Sequence, residues 1–264
     1  MQLRIQSTLL TCLLSGVLGV NVGRAETALV AVASNFMQPA KVLAQAFEVS
    51  SGHKIELAFG SSGKLSTQVI NGAPFDVFLS ADQAKAEALV ERALGAQRAQ
   101  ETYALGALTL WSATPELILN AEWLSGSDVR RLAYANPRLA PYGAAAQQFL
   151  EAIGVTLAPH QMVLGENISQ VYQFVATGAV EAGLVARSQL VEQWPASGSQ
   201  WPVPPSYHEP IKQDMLLLKR GETNDAAQGF FDYLLSGPGR EVILRYGYNL
   251  PTQNDTARER PAID

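Results

Sequence analysis

Small polar residues recur in this chain where hydrophobic strands run into helices. ALVAVA is followed by Ser34-Asn35 and then FMQPAKVLAQAF; KIELAF is followed by Gly60-Ser61-Ser62-Gly63-Lys64 and then LSTQVI. Tyr142-Gly143 in LAPYGAAAQQF and Asn167-Ile168 in GENISQVYQF are two further junctions of this kind. The first turn of a helix leaves main-chain N–H groups without internal partners, and the helix dipole adds partial positive charge there. Such a turn is a ready anion site. At the first two junctions, the hydroxyls of Ser34, Ser61 and Ser62 and the amide of Asn35 add donors. At the other two, the donor would be the N–H of Tyr142 or Ile168. Each junction taken alone also has a plainer reading. Ser or Asn caps a helix with about 1 kcal/mol of stabilisation, and a tyrosine before a helix packs. Converging on one cleft, the four would hold an oxyanion without a buried cation.

Other chemistries fit less well. Gly60 to Lys64 resembles a phosphate loop, but that motif needs glycine where Ala58 stands and Ser or Thr where Leu65 stands. Lys64 then reads as a solvated surface charge. His53, His160 and His208 are scattered without metal-ligand spacing, and no G-x-S-x-G elbow occurs. Asp76 and Asp82 flank a strand in FDVFLSAD and read as a loop ligand to main chain and a helix cap. No nucleophile–base constellation is visible, so the chain is expected not to be an enzyme.

The elements that would position the junctions alternate βαβα. Strands are expected at 28–33, 55–59 and 77–80, with helices from Pro39's turn to Gly52, at 64–71 and at 82–92. Val42, Leu43, Ala46 and Phe47 mark one face of the first helix. A strand over 105–112 (LGALTLWS) opens a second series: strands at 131–135, 162–164 and 183–186, helices at 144–153 and 168–177, and a short helix after 186. Past an irregular Pro-rich patch at 194–205 come a strand at 214–218 and helices at 226–235 and 240–246. This pattern implies α/β architecture with mostly parallel sheets covered by helices. Two series with a late return strand suggest two lobes joined by two hinge crossings: 26–106 with 208–264, and 107–207.

Residues 1–25 read as an export signal: Arg4, an apolar stretch from Leu9 to Val20, then Gly23-Arg24-Ala25 before the cleavage point. The stretch is shorter than the roughly 20 residues of a membrane span. Cys12 is the only cysteine and lies inside it, so the mature chain has no disulfide or Cys-ligated metal. Losing two arginines moves the net charge from −5 to −7, which argues against nucleic acid or an anionic membrane as partner. The tail from Gln253 to Asp264 is expected to fray.

Over nearly its whole mature length, the chain resembles the periplasmic molybdate-binding proteins of ABC transporters. The most specific stretch is GSSGKLSTQVINGAPFDVFLSAD, joined by AVASNF, GENISQVYQFVATGAVEAGLVA and FFDYLLSGPGREVILRYGY. The resemblance implies a two-lobed type II periplasmic binding fold closing on molybdate or tungstate in the periplasm. A monomer would then hand the oxyanion to a membrane permease, with no other cofactor and no direct protein–molybdenum bond. It places hydroxyl and main-chain donors on Ser34 and Ser62 and N–H donors on Tyr142 and Ile168; Asn35 and Ser61 are adjacent candidates. Some members carry a tyrosine donor where this chain has Ala186, and Tyr142 or Asn35 would have to compensate. Runner-up readings are a carrier of sulfate or another tetrahedral oxyanion and, from another class, an exported ester hydrolase.

Overall fold

The computed structural model describes residues 25–126, 129–191, 198–252 and 255. The expected export signal, apart from Ala25, lies outside these residues, as do residues 194–197 of the Pro-rich patch and all but Asp255 of the expected frayed tail.

The first half begins with β1 (Thr27–Ala33), whose run of Ala and Val is almost wholly buried, as a central strand requires. A 3₁₀ turn at Ser34–Phe36 leads into α1 (Met37–Ser51), which ends at Gly52 with φ of 76°, a left-handed cap that suits glycine. The deepest side chains of α1 are Ala40, Leu43, Ala44 and Phe47, while Val42 and Ala46 are only half-buried. Next come β2 (Lys54–Gly60), α2 (Ser62–Ile70), β3 (Val77–Leu79), α3 (Gln83–Glu91) and β4 (Gly95–Gly106). The second half holds β5 (Leu108–Ser112), α4 (Ala121–Ser125), β6 (Leu132–Ala135), α5 (Pro141–Ala152), β7 (Met162–Gly165), α6 (Ile168–Ala176), β8 (Ala182–Ala186) and β9 (Ser199–Pro202). The chain then returns through β10 (Ile211–Leu218), α7 (Asp225–Leu235) and α8 (Gly237–Arg245).

These strands form two five-stranded sheets with matching layouts, β2-β1-β3-β10-β4 and β7-β6-β8-β5-β9. In each, four strands share one direction and a single strand, β10 or β5, runs against them. Each reversed strand arrives from the other sheet, β5 directly after β4 and β10 after β9. The chain therefore crosses twice between two α/β layers, which is the periplasmic binding protein architecture. Alternation along the strands splits the first core in two. Val77, Leu79, Met215 and Leu217 face α1, α7 and α8, whereas Phe78, Leu216 and Leu218 face α2 and α3. One continuous core, centred on Leu110, Ala133, Phe149, Val171 and Leu184, fills the second half.

Several element boundaries differ from the sequence expectation. The apolar run LGALTLWS is broken at Gly106–Ala107, because its two parts belong to different sheets; an unbroken hydrophobic pattern carries no mark of such a transfer. Most of β4 went unread, its polar residues hiding an edge strand. β9 lies in the patch expected to be irregular, where its pairing with β5 overrides local composition. α5 starts at Pro141 rather than Ala144, since proline at N1 needs no N–H partner, and α2 starts at Ser62 rather than Lys64.

Candidate oxyanion-binding site

The four strand–helix junctions lie at the carboxyl ends of β1, β2, β6 and β7, the edge at which open α/β sheets bind ligands. They meet. Ser34, Asn35, Ser61, Ser62, Tyr142 and Ile168 together line one small, tightly closed cavity, with Ala33, Gly60, Ala81, Ala140 and Pro141 between them. All six expected site residues are thus gathered at one point. A larger groove bounded by Tyr134, Arg138, Leu157 and Leu164 shares no residue with it.

Each residue has a distinct setting. Ser34 opens the 3₁₀ turn and is almost fully buried. Ser62 occupies the first position of α2, and its Oγ accepts the Ala81 N–H at 2.9 Å, which leaves the hydroxyl proton to point elsewhere. Ser61 caps α2 by accepting the Lys64 N–H at 3.4 Å. Asn35 differs from the simple expectation of an outward-facing amide. Its Nδ2 donates to Gln213 Oε1 at 2.6 Å and to the Tyr248 hydroxyl at 3.0 Å, so both amide hydrogens are committed within the protein. Pro141 has no N–H, which makes Tyr142 the first donor of α5. The side chain of Asn167 accepts the Gln170 N–H at 3.1 Å and sets the start of α6, where Ile168 offers its own N–H.

The Tyr142 phenol is fully buried and packs against Gly106. Its hydroxyl approaches Tyr248 and the main chain of Ala107 without forming a well-directed hydrogen bond. Burial pushes the phenols of Tyr142 and Tyr103 well above the usual range, and that of Tyr248 up to about 12, so all three stay protonated at neutral pH. Ala186, at the end of β8, is buried and does not line the cavity.

The two halves touch across the cleft. The Gly63 N–H donates to the Leu139 carbonyl at 3.0 Å, Ser169 Oγ to the Ser34 carbonyl at 3.1 Å, and Ser188 Oγ to the Asn35 carbonyl at 2.9 Å. Lys64, expected to be a solvated charge, pairs with Glu166 at 2.6 Å on the rim; the fold brings the starts of α2 and α6 face to face. The two aspartates behave as plain structural groups: Asp76 accepts the Leu29 N–H and pairs with Arg220, and Asp82 caps α3. Among the described residues, no group of three or more His, Cys, Asp or Glu is placed to hold a metal ion.

A family model described as bacterial extracellular solute-binding protein matches residues 28–249. The chain belongs to that family. Within the solute-binding family, it is 43% identical over 220 residues to the molybdate-binding protein ModA of Rhodobacter capsulatus, covering 83% of this chain and 86% of that protein. The ModA of Azotobacter vinelandii is also 43% identical, over 247 residues covering 92% of this chain and 98% of the relative. The solved Azotobacter vinelandii periplasmic molybdate-binding protein superposes with a TM-score of 0.81 at 34% identity, covering 85% of this chain and all of that one. All three relatives are described as molybdate-binding proteins.

Proposed function

We propose that this chain captures molybdate or tungstate in the cleft between two lobes and delivers it to the membrane permease of an ABC importer. The lobes are residues 26–106 with 208–264, and residues 107–207. The protein works as a monomer in the periplasm after removal of residues 1–25, and carries out no reaction on its cargo. Ser34 and Ser62 donate hydroxyl and main-chain hydrogens to the oxyanion, Tyr142 and Ile168 donate main-chain N–H, and Asn35 and Ser61 complete the wall.

The observation that carries this reading is the chemistry of the cavity lining. It is built of hydroxyls, an amide and helix starts, with no carboxylate, lysine, arginine or histidine among the lining residues. A cradle of fixed donors suits a fully deprotonated dianion. A protonated ligand brings a donor that finds no acceptor, and an unmatched buried donor costs about 1–3 kcal/mol. Phosphate near neutral pH is disfavoured on that ground. Sulfate shares the shape and charge of molybdate and must be rejected by its smaller size. The identity to molybdate-binding relatives over most of the chain points to the larger oxyanions.

Isothermal titration of the ligand-free mature protein tests this. Tight one-to-one binding of molybdate and tungstate is expected, with sulfate and phosphate competing poorly. Displacement of molybdate by an equal concentration of sulfate would overturn the substrate while leaving the fold.

A further inference from the structure

Gly106 is the last residue of β4, and only Ala107 separates it from β5 in the other sheet. It pairs with Ile211, the first residue of the second crossing's return strand, so both crossings lie side by side here. Its φ is not among the left-handed values, and the backbone therefore does not demand glycine. What demands it is space. A Cβ at this position would run into the Tyr142 hydroxyl and stand 2.9 Å from Tyr142 Cζ and 3.1 Å from Gln213 Nε2. Real Cβ atoms essentially never sit so close to a ring carbon, so the ring or the crossing would have to move.

Tyr142 thus has two ends with separate surroundings. Its main chain, at the start of α5, lines the cavity; its phenol reaches into the hinge, among Tyr103, Gln213 and Tyr248. Tyr103 and Asn35 both donate to Gln213 Oε1, at 3.3 and 2.6 Å, and the Tyr248 hydroxyl lies within hydrogen-bond reach of the Asn35 carbonyl at 2.8 Å and Ser188 Oγ at 2.9 Å, its one proton serving either, so this cluster joins both halves. Among the described residues, Tyr142 Oη and Gln213 Nε2 are buried polar atoms of the cluster without a protein hydrogen bond, and both stand where a Cβ at position 106 would crowd them.

We infer that Gly106 and the Tyr142 phenol form a steric stop in the hinge that sets where the Tyr142 N–H stands over the cavity. Gly106 is then a positioning residue for ligand capture, acting through Tyr142 without touching the oxyanion. This rests on the oxyanion-carrier reading above. A rigid helix start transmits the position of the ring to the donor on the same residue, and Pro141 on the preceding position stiffens it further.

The test compares wild type, Gly106→Ala, and Gly106→Ala combined with Tyr142→Phe, by molybdate titration and by ligand-free thermal melting. Gly106→Ala is expected to raise the molybdate Kd at least tenfold, and the added Tyr142→Phe, which removes the closest clash, to recover at least threefold. Binding by Gly106→Ala within twofold of wild type, or a loss that Tyr142→Phe does not ease, overturns the inference. Should wild type itself ignore molybdate, the carrier reading fails separately. The melts then decide the hinge stop: a double variant that melts above Gly106→Ala supports it, and one that melts at or below Gly106→Ala overturns it. If Gly106→Ala does not fold, recovery of folded protein in the double variant supports the stop, and failure of both overturns it.

Discussion

Ser62 shows how one hydroxyl serves two purposes. Its oxygen accepts the Ala81 N–H and is thereby oriented, while its proton remains available to a ligand in the cavity. Replacing it with alanine removes a donor to a dianion and leaves a buried N–H unpaired. Hydrogen bonds to charged groups contribute about 1.5–3 kcal/mol, so Ser62→Ala should weaken molybdate binding roughly 10- to 100-fold by calorimetry. Ser62 and its neighbours were legible in the sequence because two hydroxyls and two glycines stand between an apolar strand and a helix, although capping, which Ser61 performs, accounts for part of that pattern. The setting of Asn35 was not. Its partners Gln213 and Tyr248 are 178 and 213 residues away, and no local pattern announces a contact of that range. For the same reason, nothing in GSSGK told that Lys64 would find Glu166.

At the level of elements, the proposed site is made of helix starts, and their caps hold them in place. Asn167 fixes the first turn of α6, from which Ile168 presents its N–H. Asn167→Ala should cost about 1 kcal/mol of stability, a fall of roughly 2–4 °C in melting temperature for a chain of this size. Calorimetry should also find weaker molybdate binding, because a frayed turn no longer aims its donor. The strand–helix alternation was readable because buried parallel strands are unbroken apolar runs and their helices are amphipathic. β4 and β9 were not, because polar residues and proline interrupt the apolar pattern of GAQRAQETYALG and SQWP, and pairing rather than propensity makes them strands.

For the molecule as a whole, the proposed binding depends on the two halves meeting. The Lys64–Glu166 pair bridges the rim with both side chains about half exposed, so its contribution is screened and small, about 0–1 kcal/mol. Glu166→Gln should therefore leave the melting temperature nearly unchanged but speed molybdate release by up to about fivefold in stopped-flow displacement, since the pair links the starts of α2 and α6 across the cleft. The buried hinge phenols predict a pH response. Tyr103, Tyr142 and Tyr248 keep their protons in the folded protein above the pH at which an unfolded chain releases them, about 10. The unfolded state then binds fewer protons, so stability from these groups is fully present below pH 10 and falls as pH rises toward 12. Melting curves should show no loss from them between pH 7 and 9, then a decline of up to about 1.4 kcal/mol per pH unit for each phenol.

Composition and periodicity alone were enough to read an α/β chain with four donor-bearing helix starts, because apolar strands and helix caps are written in neighbouring residues. Two lobes and an oxyanion site were inferred from the paired series and the junctions, whereas molybdate or tungstate as cargo came from family resemblance. Folding supplied what neighbours cannot encode. The four junctions meet because two crossings, at Ala107 and between β9 and β10, turn the carboxyl edges of both sheets toward one cleft. The hinge is close-packed because Gly106, Tyr142 and Gln213, distant in the chain, fill one another's space. Contacts of that range arise from topology and packing, which take their form only once the whole chain is in place.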